Sequence, residues 1–465
     1  MPAKVSAPTA STPILLVSEA SWKTLPATLD PTARAFAEAS GFQPKSGRIL
    51  PLPGPTGAIA SVLFGTGSDA SLADTPFLTG KLATDLPAGR YRLVGALANP
   101  ATAYLGFLLG RYRFARYKTG ETNAVTLDAP DGCDAPATET IARAVCAGRD
   151  LINTPANDLT TADLAAAARA LARKHGAEIT EIIGDDLLKQ NFPLIHAVGR
   201  ASLVPPRLIE FRWGDRKAPK VTLVGKGVVF DTGGLNLKPD SSMLLMKKDM
   251  GGAATALTAA DILMSLGANI NLRVILPIVE NSVAGGAFRP GDIYPSRKGI
   301  SVEIGNTDAE GRLILADALA LADEDKPDLL FDFATLTGAA RVALGPDLPP
   351  FFTDDETLAG EIAATGLAEN DPVWRLPLWT PYQSMLDSKS ADMNNVGAGG
   401  FAGSVTAALF LKRFVTETKS YVHFDIYGWV PSAKPGRPEG GEPQAARLVA
   451  ALLMARANQK AAREK

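Results

Sequence analysis

The sequence predicts an α/β protein in two unequal parts. A larger C-terminal domain with a mainly parallel sheet flanked by helices follows a smaller α/β N-terminal domain. Three observations carry this expectation. From about residue 161 onward, short apolar strands alternate with helical stretches, the pattern of a parallel sheet covered on both faces. The stretch 221–230 is apolar almost throughout, as a strand buried on both sides must be. Residues 130–136 are rich in Asp, Pro and Gly, which marks a boundary. The expected division is 1–136 for the accessory domain, 137–160 for a linking helix and connection, and 161–465 for the larger domain.

In chain order, 13–17 reads as a first strand, because its apolar run is too short for a signal-peptide core. Residues 48–52 form a second strand, confined to a sheet edge by Pro51. A third spans 58–65. A helix is expected over 101–117, with a basic and aromatic end at Arg111, Tyr112, Arg113 and Phe114. Another runs over 138–152 and stops at Asn153-Thr154-Pro155. Thr160 or Thr161 caps the next helix, whose end near His175 suits a cation. After strand 221–230 come an alanine-rich helix over 251–266 and strands over 271–279 and 329–333. The tail from Ala455 is polar and expected to fray.

Composition narrows the chemistry. A formal net charge of -2 gives no pointer to nucleic acid or an anionic membrane surface, and no apolar segment approaches a membrane span. Two cysteines, Cys133 and Cys146, cannot build a disulfide framework, which fits a cytoplasmic protein. The three histidines, His175, His196 and His423, are far apart, so a histidine zinc site or a Ser-His-Asp triad lacks its parts. His423 is read as packing between layers. A metal here must be held mostly by oxygen.

Two stretches can supply that oxygen. Gly305 to Leu313 carries Asp308, Glu310 and Arg312 at alternate positions, which an extended backbone would aim to one side. The same composition also suits an ordinary charged loop, so the stretch gains weight only beside a second cluster. Lys226 and Asp231 lie at the end of strand 221–230, followed by Lys238 and by Asp249 just before a helix. The spacing of a phosphate-binding P-loop is absent around Lys226, and Asp249 could serve as a helix cap alone. Together, Asp231, Asp249, Asp308 and Glu310 offer about the number of carboxylates that a pair of divalent cations needs.

Asn306 to Leu313, NTDAEGRL, resembles the signature of the leucine aminopeptidase (cytosol aminopeptidase) family. Val224 to Gly234, VGKGVVFDTGG, with Lys238-Pro239 and Met246 to Met250, resembles its other metal-binding block. Asn153 to Asn157, Ala334 to Ala339 and Ser390 to Met393 with Asn395 match further family segments. The resemblance runs from about residue 147 to the end. It implies a dinuclear metallo-aminopeptidase that removes the N-terminal residue of small peptides with a free N-terminus, through a hydroxide bridging two divalent ions. One ion would be held by Lys226, Asp231, Asp249 and Glu310, the other by Asp231, Asp308 and Glu310. Lys238 would stabilise the oxyanion, and Arg312 would hold a bicarbonate acting as general base. Zinc is the default metal, and an oxygen-rich site also admits manganese or magnesium. Met246, Thr335 and Gly338 would line the pocket for the N-terminal side chain. A homohexamer in the cytoplasm is implied as well. In one respect the chain departs from the family: Tyr427 in His423 to Trp429 replaces a small residue beside that pocket, so a leucine preference does not carry over and a narrower or shifted one is expected. The rival readings are another dinuclear hydrolase such as a phosphoesterase, for which phosphate-binding basic residues are missing, and a DNA-binding or scaffold role.

Overall fold

A computed structural model describes residues 11–68, 75–118 and 124–463 of the chain. The first ten residues, part of the stretch weighed as a signal segment, and the last two of the polar tail lie outside the described residues. The chain forms two compact units, Met1–Cys146 with Ser432–Glu439, and Ala147–Pro431 with Gly440–Lys465.

The first unit holds five strands: β1 (Thr12–Ser18), β2 (Ile49–Pro53), β3 (Ile59–Gly67), β4 (Gly89–Val94) and β5 (Val125–Leu127). Their order is β2-β3-β1-β4-β5, parallel except for β2 against β3. β2 sits at the edge, where a proline costs no ladder hydrogen bond. Ile14, Val62, Phe64, Tyr91 and Val125 form the core on one face. The helix expected over 101–117 is shorter, Pro100–Gly110 (α1). Asn99 caps its start by accepting from the Thr102 N–H, and the basic, aromatic segment after Gly110 lies beyond it. A helix at Ala135–Asn153 (α2) contains the stretch predicted over 138–152.

The second unit is built on a nine-stranded mixed sheet. Here α3 (Thr161–Lys174) opens with the Thr160 N–H donating to Asp163, and His175 lies at its C-terminal cap. The strands are β6 (Glu178–Ile183), β7 (Arg207–Trp213), β8 (Lys220–Gly225), β9 (Gly227–Asp231), β10 (Asn271–Asn281), β11 (Leu329–Ala334), β12 (Pro350–Phe352), β13 (Trp374–Arg375) and β14 (Tyr421–Asp425). Their order is β13-β12-β14-β11-β8-β10-β7-β6, with β9 also pairing β10. The central run β14-β11-β8-β10 is parallel, and antiparallel pairs flank it. The strand expected over 221–230 is thus broken at Lys226. The Lys226 N–H donates to the Phe333 carbonyl of β11, and β9 then continues along β10 alone.

Helix α4 (Gly251–Ser265) is buried from Gly251 through Met264. Its small residues allow a backbone approach that larger ones would block. A Cβ on Gly252 would stand 2.0 Å from the Phe333 carbonyl oxygen. Helix α5 (Glu310–Glu324) is buried over most of its length, with Leu313, Ile314 and Leu315 in the main core. The polar tail does not fray at Ala455, since helix α6 runs Ala446–Arg463. Leu448, Val449, Leu452 and Leu453 are buried in its first half. His423 lies on β14 within the sheet, fully buried, 2.8 Å from Asp332. Among the described residues no helix is long and apolar enough to cross a membrane.

Candidate metal centre

The break at Lys226 is what opens the site. Past it, β9 parts from β11, and the C-terminal ends of these parallel strands face a cavity of about 440 Å³. A crevice at that end of an α/β sheet is where such folds hold ligands. Asp231 ends β9, Asp249 precedes α4, and Asp308 and Glu310 lie on either side of the start of α5. One oxygen each from Asp231, Asp308 and Glu310 lie within 4.8 Å of one another.

The expectation that Asp308, Glu310 and Arg312 share an extended segment is corrected. Glu310 and Arg312 occupy the first turn of α5, and Asp308 sits in the turn before it. An acid at a helix start is favoured by the dipole, and the turn still brings both carboxylates together. Arg312 does not line the cavity. Its Nη1 donates to the Asn395 carbonyl at 2.6 Å, its guanidinium lies 6.0 Å from the Phe410 ring centre, and its buried Nε has no hydrogen-bond partner.

Two lysines stand among the carboxylates. Lys226 Nζ is 2.8 Å from Asp249 and 2.9 Å from Glu310, and donates to the Thr335 carbonyl. Lys238 Nζ is 2.8 Å from Asp231 and pairs closely with Asp308. Burial alone would lower both amines, but the surrounding carboxylates outweigh it and hold them above their usual range. Burial, with Asp231 close by, pushes Glu310 up to about 8 and Asp308 to about 6. Glu310 Oε2 is buried without any hydrogen-bond partner, while Asp249 Oδ2 and Asp308 Oδ1 meet only ammonium groups at ion-pair range. Such anions, crowded and short of donors, fit a divalent cation.

Met246, Thr335, Gly338 and Tyr427 all line the same cavity. Thr335 Oγ1 also donates to Asp249 at 2.8 Å, fixing that carboxylate. Several residues here were not singled out by the sequence. Buried Asn281, at the end of β10, donates to Asp231 Oδ1 at 2.9 Å, and the Gly233 N–H donates to the same oxygen. An asparagine shortly after the apolar run 274–279 is the signal that could have found it. Lys248 and Arg341 also line the cavity, against Tyr427. In sequence Lys248, next to Lys247, looks the same as part of an ordinary charged face. Arg341 gives no signal in the sequence, because only the fold brings it to the site.

Comparison with known proteins completes the description. Residues 146–453 match the model described as "Cytosol aminopeptidase family, catalytic domain", and residues 12–130 match "M17 aminopeptidase, N-terminal domain". A Chlorobium luteolum protein named "Probable cytosol aminopeptidase" is 36% identical, with 87% of this chain and 88% of the relative aligned. One from Rhizobium rhizogenes is 44% identical, over 70% of this chain and 68% of the relative. The solved cytosol aminopeptidase of Coxiella burnetii superimposes with a TM-score of 0.92 at 42% identity, covering 96% of this chain and 98% of that one. The bottromycin maturation enzyme BotP, solved in complex with Mn, gives 0.88 at 33% identity, covering 97% and 100%.

Proposed function

The chain belongs to the cytosol aminopeptidase family, as a metallopeptidase that removes N-terminal residues from peptides, and on that premise we propose which residues perform the reaction. The supporting observation is the crowded set Asp231, Asp308 and Glu310, with Asp249 alongside, in which Glu310 Oε2 is buried without a hydrogen-bond partner. We assign two divalent ions to it, held by Lys226, Asp231, Asp249, Asp308 and Glu310, with Asp231 and Glu310 shared. When bound, the ions supply a nucleophilic water of lowered pKa and polarise the scissile carbonyl. Lys226 can ligate only as a neutral amine, which a neighbouring dication favours by expelling its proton. Manganese, present in BotP, is one candidate, and zinc or magnesium are others.

Lys238 keeps its charge and faces the carbonyl oxygen as it becomes an oxyanion. Arg312 would hold a bicarbonate, which would supply a general base, and its unpartnered Nε is a donor available to that anion. Met246, Thr335, Gly338 and Tyr427 receive the N-terminal side chain. Residues 161–465 carry the chemistry, 137–160 connect, and 1–136 have an accessory role. The family relation also supports a homohexamer in the cytoplasm. The test is release of N-terminal residues from unblocked dipeptides with added zinc or manganese, with chelator, and beside N-acetylated controls. Cleavage needing both metal and a free amine is expected. Cleavage of acetylated peptides, or none with either metal, would overturn the assignment.

A further inference from the structure

The cavity has two poles of opposite character. At one, every carboxylate that lines it belongs to the metal centre, and Lys226 and Lys238 pair with those carboxylates. At the other stand Lys248 and Arg341, and neither forms an ion pair with a described carboxylate. Lys248 Nζ lies 4.8 Å from the centre of the Tyr427 ring, and the Arg341 guanidinium 5.0 Å from the same centre. Lys248 is 6% exposed, so its charge is largely withdrawn from water. A ring quadrupole compensates a buried cation only in part.

Tyr427 is itself held in place. Its N–H and that of Gly428 donate to Gln444 Oε1, each at 3.0 Å. Its hydroxyl accepts from Arg341 Nη1 at 3.3 Å, and among the described residues no acceptor takes its proton. One ring thus gathers three donors, an ammonium, a guanidinium and a phenol, while the nearby Asp425 carboxylate is engaged by the Leu336 and Thr337 N–H groups and the Thr337 and Ser404 hydroxyls. Donors of this kind suit a carboxylate. Gly338 leaves the adjoining wall open, since a Cβ there would meet no atom within 4 Å.

We propose that Lys248, Arg341 and Tyr427 form an anion subsite that gives this enzyme a preference for peptides whose N-terminal residue is glutamate or aspartate. The proposal rests on the aminopeptidase reading and on placing the N-terminal side chain against Tyr427. The substrate's α-amine then faces the acidic, metal-holding pole and its side-chain carboxylate the basic one. Charge at both ends fixes its orientation, and a lysine or arginine at the N-terminus meets like charge.

The experiment compares kcat/KM for Glu-Ala, Gln-Ala, Asp-Ala, Asn-Ala, Leu-Ala and Lys-Ala, each free and C-terminally amidated, in metal-loaded wild-type enzyme and in the Arg341→Gln and Lys248→Met variants. Arg341 is exposed, so its replacement leaves the core untouched. The expected result is a Glu/Gln ratio of about tenfold or more that survives amidation. Either substitution should reduce that ratio, chiefly through KM. A ratio near one, or one that vanishes on amidation and so reports the peptide's C-terminal carboxylate, would overturn the subsite while leaving the aminopeptidase reading intact. An unchanged ratio in both variants would also overturn it. Absence of cleavage for every free peptide would instead remove the reading on which it rests.

Discussion

Gly311 shows how little room the centre leaves. A Cβ there would meet Lys226 Cε and Nζ at 2.6 Å, so the amine reaches Glu310 and Asp249 only because this helix turn has no side chain. Gly311→Ala should displace Lys226 and weaken metal binding about 10–100-fold, the cost typical of disturbing what orients a ligand. Metal content after dialysis against graded free manganese would show it, and full retention would count against Lys226 as a ligand. Lys238→Ala should lower turnover about 10²–10³-fold, the scale of a lost oxyanion donor, while metal content stays near that of wild type. Arg312→Ala should also lose turnover, with activity partly restored by added bicarbonate. Turnover equal to wild type in both variants would remove their catalytic assignment.

Among the elements, the pairing of β7 with β10 offers a separate electrostatic test. Glu210 on β7 accepts from Arg273 on β10 at 2.8 and 2.9 Å and from Arg212 at 2.8 Å. Burial alone would raise this carboxyl, but the two guanidiniums hold it below the usual carboxylate range. The unfolded chain therefore binds more protons, and the contribution to stability is present at neutral pH and lost as pH falls below about 4. Glu210→Gln should cost about 2 kcal/mol at pH 7, the scale of hydrogen bonds to a charged group, and progressively less below pH 4. Urea midpoints across that range would measure it, and a pH-independent difference would contradict the account. These elements also show what the sequence could reveal. Apolar runs and helix caps announced β1, β2, β3, β10, β11 and α3, because burial and capping leave local marks. The break at Lys226 left none, since it depends on the Phe333 carbonyl more than a hundred positions away. The helical start at Glu310 was read as extended because alternation of charges looks the same in both conformations. The residues of the acidic cluster were legible from their motifs. The opposing cations were not, because Arg341, which follows β11, comes to Tyr427, which follows β14, only through the pairing of those two strands.

For the molecule as a whole, the metal centre draws together three separate parts of the chain: the end of β9, the approach to α4 and the start of α5. An ion bound only by the folded chain stabilises it by about 1.4 kcal/mol for each tenfold excess of free metal over its Kd. Thermal midpoints should therefore climb with the logarithm of free manganese or zinc and fall to a floor in chelator. A midpoint indifferent to both would mean that the centre forms without its ion and gains nothing from it.

Helix α4 leads to a different consequence. It is buried from Gly251 to Met264, so close to β11 that Gly252 has no space for a methyl group. Its backbone amides cannot meet solvent through a local opening without parting the sheet from its cover. In deuterated water they should be among the last to exchange, at a rate set by complete unfolding. Leu235, Leu237 and Leu244, exposed on the loop that carries Lys238, should take up deuterium far sooner. The clock of this protein is then read at α4, a few residues from Asp249, and any ligand that slows it there reports binding to the folded chain without a single turnover.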